Sequence, residues 1–248
     1  MTTAVAQITS PAQVRANPAL WAFRHLARRR IATQLDGLYL AGLRRAQSAL
    51  ERGPVLFAAT HVSRWDPLVL LVLDEALGAE GRALMDAANL DRLPFFRWLG
   101  AMPIDRSGRA RARSGLRDAA AWLDRPGRSL WVFPQGRQRP AHLRPLGLER
   151  GTELITRASG ATIIPVALNY GFREHDCPAA VACFGGPLDP APTLLAALEP
   201  ALADGLARID LFLDGQPGDF EALVPPNHGP TDTDLPTRLL AAIARMTT

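Results

Sequence analysis

Hydrophobic positions along this chain fall into short continuous runs separated by longer amphipathic stripes. Val55-Leu56-Phe57-Ala58-Ala59 is a run of strand type, and Arg82–Asp86, Ala101–Ile104, Ser129–Phe133 and Ala161–Leu168 follow the same pattern. Shorter strands are predicted at 38–40 and 181–184. Apolar residues at helical spacing predict helices over 19–36, 43–51, 67–77, 109–124, 149–159 and most of 192–213. The span 90–99 reads as a helix or a loop because Pro94 interrupts it. Gly53-Pro54, Pro126-Gly127 and Gly160 punctuate the helices. Residues 1–18 form a leader with Pro11 and Pro18. Residues 214–236, rich in Pro, Gly and Asp, read as a loop, and a last helix begins at Thr237. Strand-helix alternation predicts an α/β fold: a central mixed, largely parallel sheet flanked by helices, with an N-terminal basic helical arm. The expected organisation is an arm (1–36), an α/β domain (37–213), and a C-terminal loop and helix packed on it (214–248).

Charge changes the reading of the arm. Residues 1–52 carry a net +6 and the rest of the chain −2, and every basic side chain is Arg. In the 19–36 helix Leu20, Phe23, Ala27 and Ile31 share a face, Arg29 and Arg30 lie away from it, and Arg24 and Arg28 crowd its edge. Such a helix either lies on an anionic membrane surface or packs on the protein's own core. The arm has no recognisable nucleic-acid module, so no nucleic-acid partner is expected. At 48% hydrophobic and 21% charged residues the composition is that of a globular protein. No apolar run approaches the roughly 20 residues of a membrane span. Without a basic-then-apolar leader pattern, a cytoplasmic location is expected. Cys177 and Cys183 have the wrong number and spacing for a disulfide framework or zinc site, and read as reduced small hydrophobes.

Three polar clusters follow predicted strand ends: His61 to Asp66, Asp105-Arg106, and Gln135 to Arg139. Ligands in open α/β sheets bind beyond the carboxyl ends of the strands, so neighbouring strands would bring these clusters together. Residues five apart on a straight helix do not share a face. His61 can meet Asp66 only from the turn before the helix, with Pro67 at the first helical position and Asp66 as N-cap. Two readings stand: an imidazole oriented by a carboxylate to act as a base, or a cap beside a satisfied loop histidine. Ser63 lies in no nucleophile elbow and is given no role.

In order, the chain carries His61-x4-Asp66, Gly100-Ala101-Met102-Pro103-Ile104-Asp105-Arg106, Trp131 to Arg139, and Ile163-Ile164-Pro165-Val166-Ala167. This series resembles the PlsC-like glycerolipid acyltransferases, the family that includes 1-acylglycerol-3-phosphate acyltransferase, over roughly residues 38–185. The resemblance implies transfer of a fatty acyl group from acyl-CoA or acyl-carrier protein to the hydroxyl of a lysophospholipid, with no bound cofactor or metal. It places the catalytic pair on His61 and Asp66, and the Arg that contacts acceptor phosphate on Arg106. The family's Phe-Pro-Glu-Gly-Thr-Arg-Ser motif falls on Phe133–Arg139, so Gln135, Gly136, Arg137 and Arg139 are expected to bind substrate. The implied partners are a lipid acceptor, an acyl donor and a membrane surface met through the arm, at the cytosolic face. A backbone N–H near the 134–137 turn is the expected oxyanion donor. Gln135 stands in place of Glu, Gln138 in place of Arg, and Thr60 in place of Asn. The missing carboxylate opens a second expectation, the same chemistry on a glycolipid or other non-phosphate hydroxyl. A non-catalytic lipid-binding relative is the third.

Overall fold

The run Val55–Ala59 forms β2, buried at all five positions, as a strand covered on both faces must be. A computed structural model describes residues 18–188 and 193–227, so the leader and the helix from Thr237 lie outside the described residues. Before β2 come α1 (Pro18–Gln34), β1 (Leu38–Ala41) and α2 (Leu43–Arg52). After it come α3 (Asp66–Leu77), β3 (Glu80–Asp86), α4 (Ala87–Arg92), a 3-10 turn (Pro94–Arg97), β4 (Ala101–Ile104), α5 (Arg109–Trp122) and β5 (Arg128–Val132). The remainder is α6 (Gly151–Ser159), β6 (Thr162–Gly171), β7 (Ala179–Phe184), α7 (Leu194–Leu213) and β8 (Glu221–Val224). The described strands form one sheet in the order β4-β3-β5-β2-β6-β7-β1-β8. Pairing is parallel except between β6 and β7 and between β1 and β8. The sheet is therefore mixed and largely parallel.

Alternate residues of each strand face opposite layers. Val55 and Phe57 pack with Ala27, Ile31, Leu50 and Leu73 from α1, α2 and α3. Leu56 and Ala58 pack with Ala119, Ile155 and Leu206 from α5, α6 and α7. Phe57 stacks on Trp131 at 4.5 Å between ring centroids and meets Phe184 edge-on.

The apolar face of α1 lies on the protein's own core, with Ala27 and Ile31 fully buried. The arginines that crowd its edge have partners on α3: Arg24 meets Asp74 at 2.9 Å and Arg28 meets Glu75 at 2.7 Å. Asp74 also accepts from Ser129 and Trp131. Burial pushes its carboxyl above the usual range, and Arg24 pulls it back. Losing one partner of such a buried pair costs about 3–5 kcal/mol, so α1 is tied into the fold. Gly81 lies against Asp74, where a Cβ would run into the carboxylate.

The expected loop after residue 213 contains a strand. β8 pairs antiparallel with β1 at the sheet edge. Its four residues are flanked by Pro and Gly, and edge position rather than an alternating pattern holds them. The span 90–99 resolves into the end of α4 and the 3-10 turn, with Pro94 at its start. Among the described residues no helix is long and apolar enough to cross a membrane.

Candidate active site

In the order β4-β3-β5-β2, the parallel strands end at Ile104, Asp86, Val132 and Ala59 on one rim of the sheet. The three polar clusters therefore meet there. Thr60 anchors the first: its hydroxyl donates to the Leu168 carbonyl at 3.0 Å and accepts from the Leu168 N–H at 2.7 Å. The His61 N–H donates to Gln135 Oε1 at 2.7 Å, and the His61 carbonyl accepts from the Arg139 N–H at 2.8 Å. The 133–139 turn thus grips the His61 backbone on both sides. The imidazole stacks on Phe133, with centroids 4.2 Å apart.

His61 Nδ1 lies 2.7 Å from Asp66 Oδ2. The same oxygen accepts from the N–H groups of Val62 at 2.9 Å and Ser63 at 3.1 Å. Asp66 Oδ1 accepts from the Tyr170 hydroxyl at 2.8 Å. The Asp66 side chain is fully buried, whereas that of His61 is 25% exposed. Every partner of the carboxylate other than the imidazole is a donor, which suits an ionised acceptor. Nδ1 then carries the proton, and the lone pair of Nε2, unpartnered among the described residues, is open to a substrate. Burial, then the charge of Asp66, pushes the Tyr170 phenol well above its ordinary pKa, so it stays a donor.

Asp66 is not the helix cap that the sequence suggested. Trp65 occupies that position without a side-chain cap bond. The carboxylate turns back onto the 61–63 loop, and Pro67 has no N–H to offer it. Ser63 Oγ accepts from the Trp65 N–H.

His61 and Arg106 line one cavity of about 510 Å³. Leu70, Ala83, Met85 and Trp131 give it an apolar wall, while Arg106, Gly136, Arg137, Gln138 and Glu149 give it a polar one. The volume and mostly apolar lining are those of a small-molecule site. Arg106 already has partners: Nη1 donates to the Gly136 carbonyl at 2.6 Å and Nη2 to Glu149 Oε1 at 2.5 Å. Arg137 is exposed on the wall and has no hydrogen-bond or ion-pair partner among the described residues.

Two expected substrate contacts stand behind the wall instead. Gln135 is buried at 4% exposure and holds the His61 N–H. The Arg139 guanidinium donates to the Leu146 carbonyl at 2.8 Å. Both support the loop rather than line the cavity. Gly136 takes φ +64°, which favours glycine. Its N–H donates to the Phe133 carbonyl at 2.9 Å and is engaged within the turn, so it is not the expected free oxyanion donor.

The family model described as Acyltransferase matches residues 41–169, just over half of the chain. The chain belongs to the Acyltransferase family. No curated protein matches it. Solved structures that match include the crystal structure of the 1-acyl-sn-glycerophosphate (LPA) acyltransferase PlsC from Thermotoga maritima. That likeness has a TM-score of 0.61 at 16% identity, over 81% of this chain and 83% of that one. It is a likeness of fold.

The sequence marks no role for three residues of the candidate site. Tyr170 reaches Asp66 from the end of β6, 104 positions away, and no local pattern marks it. Glu149, which takes Arg106, lies in an irregular segment. Phe133 belongs to the 131–139 motif, but only the fold shows it under the imidazole.

Proposed function

We propose that this acyltransferase moves a fatty acyl group from a thioester donor, acyl-CoA or acyl-carrier protein, to the hydroxyl of a lipid, with His61 as general base oriented by Asp66. The observation that carries the reading is the unpartnered Nε2 of an imidazole fixed through Nδ1, on the wall of a largely apolar cavity. Nε2 accepts the hydroxyl proton as the oxygen attacks the thioester carbon. A C–O bond forms, the tetrahedral oxyanion collapses, and the C–S bond breaks. The thiolate leaves with little help, because thiols ionise near pH 8.5, and takes the proton from His61. General-base assistance of this kind is worth about 10²–10⁴ in rate.

The proposed site of work is an anionic membrane surface at the cytosolic face. Trp21 and Leu26 on α1, and Leu93 and Trp98 around the 3-10 turn, are exposed. Phe23 stacks on Phe95 at 5.6 Å and joins the two elements. Leu20, Phe96 and Leu99 from the same elements line the cavity. The same elements carry exposed Arg29, Arg30, Arg92 and Arg97, of which Arg97 pairs with Asp91 at 3.2 Å. Exposed apolar side chains on elements that also carry arginines suit the boundary of an anionic bilayer.

The deciding experiment is thiol release from acyl-CoA with lysophosphatidic acid and with monoacylglycerol as acceptors. His61→Ala is expected to lower turnover by about 10²–10⁴ while melting like the wild type. A folded variant that keeps most of its activity refutes the assignment.

A further inference from the structure

We propose that Glu149 makes the acceptor groove select a lipid with an uncharged, hydroxyl-bearing head, a sugar or polyol, over one carrying a phosphate monoester. This rests on the acyl-transfer reading above and names the acceptor class for that site. Arg106 is the guanidinium that would grip a phosphate, and both of its terminal nitrogens are engaged. Nη1 donates to the Gly136 carbonyl and Nη2 to Glu149 Oε1. Two of its five N–H donors are held by a carbonyl and a carboxylate, so a phosphate would meet a guanidinium already paired with an anion.

The carboxylate is held near this place. The Glu149 N–H donates to the Pro134 carbonyl at 2.7 Å, next to the turn that grips His61. The carboxylate lies across Gly136, where a Cβ would run into it and into the Arg106 guanidinium. Glu149 therefore stays beside the groove even when its side chain rotates. Its charge cancels that of Arg106 and opposes a second anion. A phosphate monoester brings about −1.5 to −2 at neutral pH.

Hydrogen-bond chemistry points the same way. An ionised carboxylate only accepts, and a phosphate dianion also offers acceptors and no donors. Sugar hydroxyls do both. Glu149 can accept from one hydroxyl while Arg137 and Gln138, exposed on the same wall, donate to others. Gln135 plays no part in this selection, because it is buried behind the wall on the His61 N–H.

The Arg106–Glu149 pair is exposed, at 42% and 52% of the two side chains, and an exposed pair contributes little to stability. Substitution at Glu149 therefore tests selection without unfolding the protein, and a thermal melt checks this. The experiment compares kcat/KM for dodecyl glucoside and for lysophosphatidic acid, with one acyl-CoA donor, in the wild type, Glu149→Gln and Glu149→Lys. The wild type is expected to favour the glucoside. Each substitution should move the ratio toward the phosphate acceptor, by about tenfold or more for Glu149→Lys, because it replaces like-charge repulsion by attraction. A wild type that uses lysophosphatidic acid at least as well as the glucoside overturns the proposal. So does a ratio that Glu149→Lys leaves in place. Calorimetric binding of the two acceptors to His61→Ala, with and without Glu149→Lys, gives the same ratio without turnover. If the wild type transfers to neither acceptor, the acyl-transfer reading fails. The binding ratio then still decides the role of Glu149: a ratio moved toward phosphate supports it, and an unmoved one overturns it.

Discussion

Removing one oxygen, in Tyr170→Phe, tests how the Asp66 carboxylate, proposed to orient the base, is held. Asp66 is fully buried and receives four contacts, three on Oδ2 and the Tyr170 hydroxyl on Oδ1. Phenylalanine keeps the ring packing and deletes the Oδ1 donor. A hydrogen bond to a charged group contributes about 1.5–3 kcal/mol net. For a chain of this size each kcal/mol moves Tm by about 2–4 °C, so the expected drop is about 3–12 °C. The imidazole keeps its bond to Oδ2, so kcat should fall by roughly tenfold, the equivalent of about 1.4 kcal/mol, rather than by the loss expected for His61→Ala. The pH dependence has a definite sign. The folded pKa of Tyr170 lies above its ordinary value, chiefly through burial. Its contribution to stability is complete below about pH 10 and is lost as pH rises through the folded pKa. Tyr39, the other tyrosine, is also raised, by burial and then Asp36. In an absorbance titration of the folded wild type neither phenol should ionise at its ordinary pH, and Tyr170→Phe should show a smaller alkaline loss of stability. A variant with unchanged Tm, unchanged kcat and the same alkaline limb would refute the hydrogen bond on which this reasoning stands.

Gln135 should behave as a loop support. Gln135→Glu keeps an acceptor for the His61 N–H and should keep most activity, whereas Gln135→Leu leaves that buried donor unsatisfied at about 1–3 kcal/mol, read by thermal melt and initial rate. Equal effects of the two substitutions would show that the side chain does something other than accept that bond. The membrane surface is tested with Trp21→Ala/Trp98→Ala, expected to weaken co-sedimentation with anionic vesicles while turnover of a water-soluble short-chain substrate is kept. Undiminished vesicle binding would place the contact elsewhere. Deleting α1 is the wrong test, since Arg24 and Ile31 hold it in the core.

Much of the scaffold was legible in the chain. Continuous apolar runs marked β2 and β5 because strands covered on both faces have no polar side. Gly and Pro marked the breaks because few other residues tolerate those backbones. The chain missed β8, whose four residues are held by pairing to β1 and carry no periodic pattern of their own. It paired Asp66 with His61 rightly but also made it the helix cap, since capping and loop-bracing carboxylates look alike in sequence.

The order of residues by itself determined the layers, the rim where strands end, and the reach of His61 to Asp66, all of which follow from contacts close along the chain or from burial pattern. Tertiary structure alone decided what surrounds those groups: Tyr170 behind Asp66, Gln135 on the His61 backbone, Glu149 on Arg106 and Arg24 on Asp74. Each of these joins residues 43 to 104 positions apart. Such a partnership depends on strand order and loop path, and neither leaves a local trace in the residues concerned.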